Sequence, residues 1–149
     1  MKIIQINTVA EYSSTGRTTI ELAKALDEKN HISYIAYGQK KTTYKRNFKI
    51  GTNLENHIHN ASSRLLGNQG YYTQRGTKKL ISYLELIKPD IIHLRNLHGN
   101  YINLKLLFEY LEELTTPIVW TIHDCWAYTG KCSHYPVAKC YKWETHCKK

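Results

Sequence analysis

Short apolar runs alternate with stretches of helical periodicity along most of the chain, and this alternation constrains the fold more than any other feature of the sequence. KIIQINT at 2–8 is an apolar run closed by polar residues, suited to a buried strand. The polar stretch EYSSTGRTT carries one glycine, and after it Ile20, Leu22, Ala23 and Leu26 fall at roughly helical spacing. Ser14 or Thr15 is the expected N-cap there, and Asn30 the stop. HISYIAYG at 31–38, rich in β-branched and aromatic residues, reads as a second strand, so one strand–helix–strand unit fits in the first 38 residues. A short strand is expected at 48–50. Leu54, Ile58, Ala61, Leu65 and Leu66 mark a helix face that Gly67 ends, and Leu80, Ile81, Leu84 and Ile87 mark another, within 74–87, that Pro89 stops. DIIHL at 90–94 is a third buried strand. Leu104, Leu107, Phe108, Leu111 and Leu114 give the clearest amphipathic helix, and Pro117 opens the strand IVWTIH. The order predicts an α/β domain: a mostly parallel sheet with helices on both faces. Residues 130–149 lack periodicity and form an irregular, cysteine-containing C-terminal segment.

The 149 residues, 42% hydrophobic, suffice for one ordinary core, and neither a repeat nor a low-complexity linker divides them. No apolar run approaches the roughly 18 residues of a membrane span, and the N-terminus lacks a cleavable leader pattern, so the expected location is cytoplasmic. Lys and Arg number 21 against 12 Asp and Glu, a formal charge of +9 that favours anionic partners. Its densest run, Lys40, Lys41, Lys45, Arg46 and Lys49 with Tyr44 and Phe48 interleaved, reads first as a solvated loop. With no RNA-binding motif and no reading helix, nucleic acid is not an expected partner.

In an open parallel sheet, ligands bind outside the carboxyl ends of the strands, where strand order reverses. After the first strand come Ser14, Thr15, Gly16 and Arg17. The amides of this helix N-terminus, with Arg17, suit a phosphate, although one glycine alone is equally an ordinary polar turn. After the strand at 90–94 come Arg95, Asn96, His98, Gly99, Asn100 and Tyr101, groups that suit a hydroxyl-rich ligand. After the last strand stand His123 and Asp124. The histidine can bond or shuttle a proton near neutral pH, and the aspartate either orients it or caps the next turn. Cys125, Cys132, Cys140 and Cys147 are separated by six, seven and six residues, which leaves a structural zinc site, free thiols or a facultative disulfide all open. Asn60-Ala61-Ser62 fits a glycosylation acceptor and, without a secretion signal, is read as chance.

KIIQINT with STGR, KPDIIHLRNLHGNYINLKLLFEYL, and above all PIVWTIHDCWAYTGKCSHY through CYKW resemble the N-terminal domain of bacterial family 4 glycosyltransferases, in particular those of capsule, exopolysaccharide and colanic-acid-type assembly. The resemblance implies a Rossmann-like domain of the two-domain GT-B fold, the acceptor side of an enzyme that transfers sugar with retention and needs no cofactor for transfer. It implies that Ser14, Thr15, Gly16 and Arg17 approach the donor diphosphate, that His123 with Asp124 lies beside the transferred sugar, and that Asn96, His98 and Tyr101 face the acceptor. The implied partners are a nucleotide sugar, a saccharide or lipid-linked acceptor, and a second, donor-binding domain supplied in trans or missing. Residues 1–149 are then expected to be one N-terminal domain, inactive alone. The positive charge would draw it to an anionic membrane at the inner face of the cytoplasmic membrane. Arg95 departs from the family pattern by standing where a histidine is expected. The runner-up reading is a small basic module for nucleic acid or an anionic membrane, its C-terminal segment held by zinc on Cys125, Cys132, Cys140 and Cys147.

Overall fold

A computed structural model describes residues 1–130, 132–137 and 139–145. The elements run β1 (Lys2–Asn7), α1 (Ser13–Glu28), β2 (Ile32–Tyr37), β3 (Asn47–Lys49), α2 (Asn53–Leu66), α3 (Gln74–Ile87), β4 (Ile91–Leu94), α4 (Leu104–Glu112), β5 (Ile118–Trp120) and the single turns α5 (Trp126–Thr129) and α6 (Lys142–Thr145). The sheet has five strands in the order β3-β2-β1-β4-β5. Every pairing is parallel: Ile4 stands between Tyr34 and Ile92, and Leu94 stands opposite Trp120. The chain builds outward from β1 in one direction and then, at β4, in the other. The crevice of this Rossmann-like sheet therefore opens between the carboxyl ends of β1 and β4.

Side-chain alternation divides the core in two. Ile4, Ile6, Ala36, Ile92 and Leu94 point to one face, where Leu80, Leu84 and Ile87 of α3 and Leu107 and Leu111 of α4 cover them. Ile35 and Tyr37 point to the other face and meet Ala10, Tyr44 and Ala23 of α1. Complete burial of each Ile or Leu contributes about 1.5–3 kcal/mol, so the α3 and α4 face carries most of the stability. On the α1 face β1 buries two amides. Gln5 donates to the Thr19 carbonyl at 3.0 Å, and Asn7 donates to Val9 O at 2.8 Å and to Thr19 Oγ1 at 2.9 Å. These bonds offset desolvation inside what reads in sequence as an apolar strand.

Several elements differ from the sequence expectation. Helix α1 starts at Ser13, with Tyr12 as N-cap and no side-chain cap, so Ser14 and Thr15 lie in its first turn. Strand β5 ends at Trp120, and Thr121 to His123 continue as loop. The largest difference is α2. Its Thr52–Glu55 capping box and left-handed Gly67 fix both ends as expected of a helix. Its apolar stripe nevertheless faces outward, with Leu54 69%, Ile58 54% and Leu65 84% exposed. The inward side is polar: His59 is fully buried, with Nδ1 2.7 Å from Thr73 Oγ1 and Nε2 accepting the Gly70 N–H at 3.2 Å. A ring nitrogen that accepts carries no proton, so Nδ1–H donates to Thr73 and His59 is neutral. Burial pushes its pKa down to about 4.

The basic run is likewise not uniformly solvated. Arg46 forms an ion pair with Asp27 and donates through Nε to Ser33 O at 2.8 Å, bracing β2 against α1. Lys40 lies over the ring of Tyr12, 5.9 Å from its centroid.

Candidate functional site

Three loops meet at the crevice, and main-chain contacts fix their spacing. The Thr8 hydroxyl after β1 lies 2.6 Å from His98 O and 3.1 Å from Asn96 O in the loop after β4. The Asn96 N–H donates to Asn7 Oδ1 at 3.1 Å, and Gln39 after β2 donates to Gly99 O at 2.6 Å. Gly99 has φ +113, and a Cβ there would lie 2.7 Å from Thr8 Cγ2, so only glycine lets the loops approach this closely. The Tyr101 ring fills the space where a Cβ on Gly38 would stand. Tyr101 is fully buried and donates its hydroxyl to Asn96 O at 2.8 Å; burial raises its pKa far above that of an ordinary phenol. It holds the loop from beneath and presents no surface to a ligand, unlike the acceptor-facing placement the resemblance implies.

Arg95 and His123 meet across the carboxyl ends of β4 and β5. Arg95 is 5% exposed. Its guanidinium donates through Nη1 to Gln5 Oε1 at 2.9 Å and through Nη2 to the Thr18 hydroxyl on α1. Its Nε and Nη2 lie 3.3 and 3.2 Å from His123 Nε2. A guanidinium has no acceptor, so His123 Nε2 must accept, and its proton resides on Nδ1. Burial and then the Arg95 charge lower the His123 pKa, against the opposing pull of Asp124. Arg95 has no carboxylate partner among the described residues, and burial lowers its own pKa. His93, two residues before Arg95 on β4, has its pKa lowered to about 4 by burial first, with the charge of Arg95 and that of a protonated His123 adding to it.

Asp124 does not orient His123. Its Oδ2 accepts from His98 Nε2 at 2.8 Å, and its Oδ1 caps the next turn by accepting the Trp126 N–H at 2.9 Å. The His98 ring also packs on Trp126, with centroids 5.7 Å apart. Asn96 borders the same narrow crevice as His98, His123 and Asp124. On the β1 side, Ser14 and Arg17 are exposed at the start of α1, while the Thr15 carbonyl accepts from Thr19 Oγ1 at 2.7 Å. Gly16 is buried, with the Glu11 backbone 3.1 Å from where its Cβ would lie, so it serves the packing of the loop on the helix. The structure thus brings His123, Asp124, Asn96 and His98 together around Arg95. In sequence Arg95 is one of several polar residues of its loop; the partners that define it, Gln5, Thr18 and His123, lie far away along the chain.

Cys125, Cys132 and Cys140 are free thiols, and no three metal-ligating side chains converge among the described residues. Cys147 lies outside the described residues. The four-cysteine zinc set that the spacing left open therefore lies partly outside the described residues. No helix among the described residues is long and apolar enough to cross a membrane.

A Rossmann-like parallel sheet with a narrow polar crevice at the carboxyl ends of β4 and β5 defines an α/β domain, and comparison with known proteins gives that domain its family. Residues 15–146 match Glycosyltransferase Family 4, and the chain belongs to that family. Among characterised sequences, the putative colanic acid biosynthesis glycosyl transferase WcaC of Escherichia coli (strain K12) is 33% identical over 66 residues, covering 41% of this chain and 16% of that protein. No solved structure matches the chain significantly.

Proposed function

We propose that this chain forms the acceptor-side wall of a retaining glycosyltransferase that acts in surface polysaccharide synthesis, and that a second Rossmann-like domain supplies the opposite, donor-binding wall. The observation that carries this reading is the Arg95–His123 pair at the carboxyl ends of β4 and β5 in a family 4 domain. Retaining transfer requires stabilisation of the departing diphosphate and a fixed orientation of the two sugars. The first turn of α1, which has no side-chain cap, offers its amides with Ser14, Thr15 and Arg17 to the diphosphate. His123 contributes as a neutral hydrogen-bond donor through Nδ1–H to the transferred sugar. A role as proton shuttle is disfavoured because Arg95 occupies Nε2 and the Asp124 carboxylate is engaged elsewhere. Asp124 is then a positioning residue that holds His98 toward the acceptor, with Asn96 beside it.

The outward apolar face of α2 and the charge of +9 support peripheral contact with an anionic leaflet, and with it a lipid-linked acceptor at the inner face of the cytoplasmic membrane. Arg46 takes no part, being paired with Asp27. The deciding experiment measures transfer of radiolabelled sugar from nucleotide sugars to extracted lipid-linked saccharides, by the chain alone and by the chain joined to a family 4 donor-binding domain. Transfer is expected only in the second case, and His123→Ala should abolish it. Turnover by the chain alone would overturn the two-wall reading.

A further inference from the structure

Beyond the crevice, on the other side of the loop that carries His98, a polar flank of α2 borders a second hollow. We infer that this hollow is a saccharide subsite selective for a sugar bearing an anionic group, an inference that rests on the acceptor-side reading above. It encloses about 400 Å³ between α2 and the strand-end loops, and its walls include the side-chain amides of Gln39, Asn53, Asn56, Asn60 and Asn100. That volume falls within the range of small-molecule sites. Each amide presents a donor and an acceptor at opposite ends, the complement of a ring of hydroxyls.

The amides are held in place before any ligand arrives. Asn56 donates to Gly38 O at 2.8 Å, Gln39 to Gly99 O at 2.6 Å, and Asn100 to Asn60 Oδ1 at 3.2 Å, while Ser63 donates to Asn100 Oδ1 at 3.2 Å. Asn100 holds a left-handed backbone, φ +57, that directs its side chain across to α2. These bonds leave the Gln39 Oε1 acceptor and the Asn60 Nδ2 donors without a partner among the described residues. A groove built from fixed amides with spare hydrogen-bonding ends favours a polyhydroxylated ligand over an apolar one.

Charge selects further. The ionisable side chains in the wall are Lys40 and His57, and it contains no Asp or Glu. Lys40 makes no ion pair among the described residues, and a second ammonium, Lys49, bonds to Asn53 beside it. A hollow that is positive and free of carboxylates attracts a carboxylate or phosphate carried by the sugar. Its position fits the same use: His98 borders the crevice, and the next two residues, Gly99 and Asn100, border the hollow. A saccharide crossing Gly99 would enter both.

The test is direct binding by the chain as it stands, read from the side-chain amide resonances of Asn and Gln while glucuronic acid, glucose 1-phosphate and glucose are titrated in turn. The expected result is that both acidic ligands shift the α2 amides and bind more tightly than glucose. Lys40→Gln should weaken the acidic ligands by about fivefold and leave glucose unchanged, and Asn60→Ala should weaken all three. The relative response to glucuronic acid and to the phosphate identifies which anionic group the hollow prefers. Equal binding of charged and neutral sugars, or shifts confined to residues 95–98 and 121–124, would overturn the inference. If binding follows the expected charge dependence and yet Lys40→Gln leaves transfer by the chain joined to a donor-binding domain unaltered, the subsite stands and its assignment to the acceptor fails.

Discussion

Helices α2 and α3 have the same length, 14 residues, and both carry an apolar stripe, yet they face opposite ways. α3 turns Leu80, Leu84 and Ile87 into the sheet, whereas α2 turns Leu54, Ile58 and Leu65 to solvent and His59 and its amides inward. The difference shows that periodicity establishes an amphipathic helix without fixing which side the protein covers. α3 is held by area removed from water. α2 is held by a capping box, a buried imidazole and an amide network, and its apolar face is left exposed.

The contrast is open to attack in order of expected effect. Leu84→Ala should cost about 2–5 kcal/mol by leaving a cavity, while Leu65→Ala should stay within about 0.5 kcal/mol; urea unfolding of both variants measures the gap, and equal losses would remove the distinction. The imidazole anchor predicts an acid-sensitive fold. His59 has a folded pKa of about 4, below the ordinary 6.5, so the unfolded chain binds the proton first. Its stabilisation is complete above 6.5 and is lost as pH falls toward 4, by at most about 3 kcal/mol. His93 acts in the same window, whereas Glu11 and Asp27, lowered from 4.5 and 3.8, contribute their loss only at more acidic pH. Denaturant midpoints from pH 7.5 to 4 should therefore drop steeply, and less steeply in His59→Asn. Thr52→Ala should cost about 1 kcal/mol through loss of the cap, seen as faster amide exchange in α2 than in α3.

The change most telling for the crevice is Arg95→Gln, read from the His123 ring and not from stability. Releasing the His123 ring from the guanidinium should raise its pKa toward the ordinary value and allow the Nε2–H tautomer, both visible in imidazole nitrogen shifts. An unchanged tautomer would show that Arg95 does not set the state of His123.

How much of this was legible in the sequence follows from what is local. β1, β2 and β4 read correctly because a sheet covered on both faces makes its strands short apolar runs, and Gly67 and Pro89 mark helix ends that the chain respects. Gln5 and Asn7 did not stand out, because inside an apolar run their bonds to Thr19 and Val9 cannot be read. The Arg95–His123 and His98–Asp124 pairs are 28 and 26 residues apart, and they meet because the register of β4 with β5 places Leu94 beside Trp120. Proximity of His123 and Asp124 in sequence suggested a couple; the strand ends instead pair each with a residue from the preceding loop.

The Thr8 hydroxyl, set between the carbonyls of Asn96 and His98, ties the end of the first strand to the loop that borders both the crevice and the amide hollow. With Asn7 and Gln39 making parallel ties to Asn96 and Gly99, the rim is cross-braced at three points. Such a rim has little freedom to rearrange by itself, so the crevice and the amide hollow keep their mutual spacing even where the helices around them breathe.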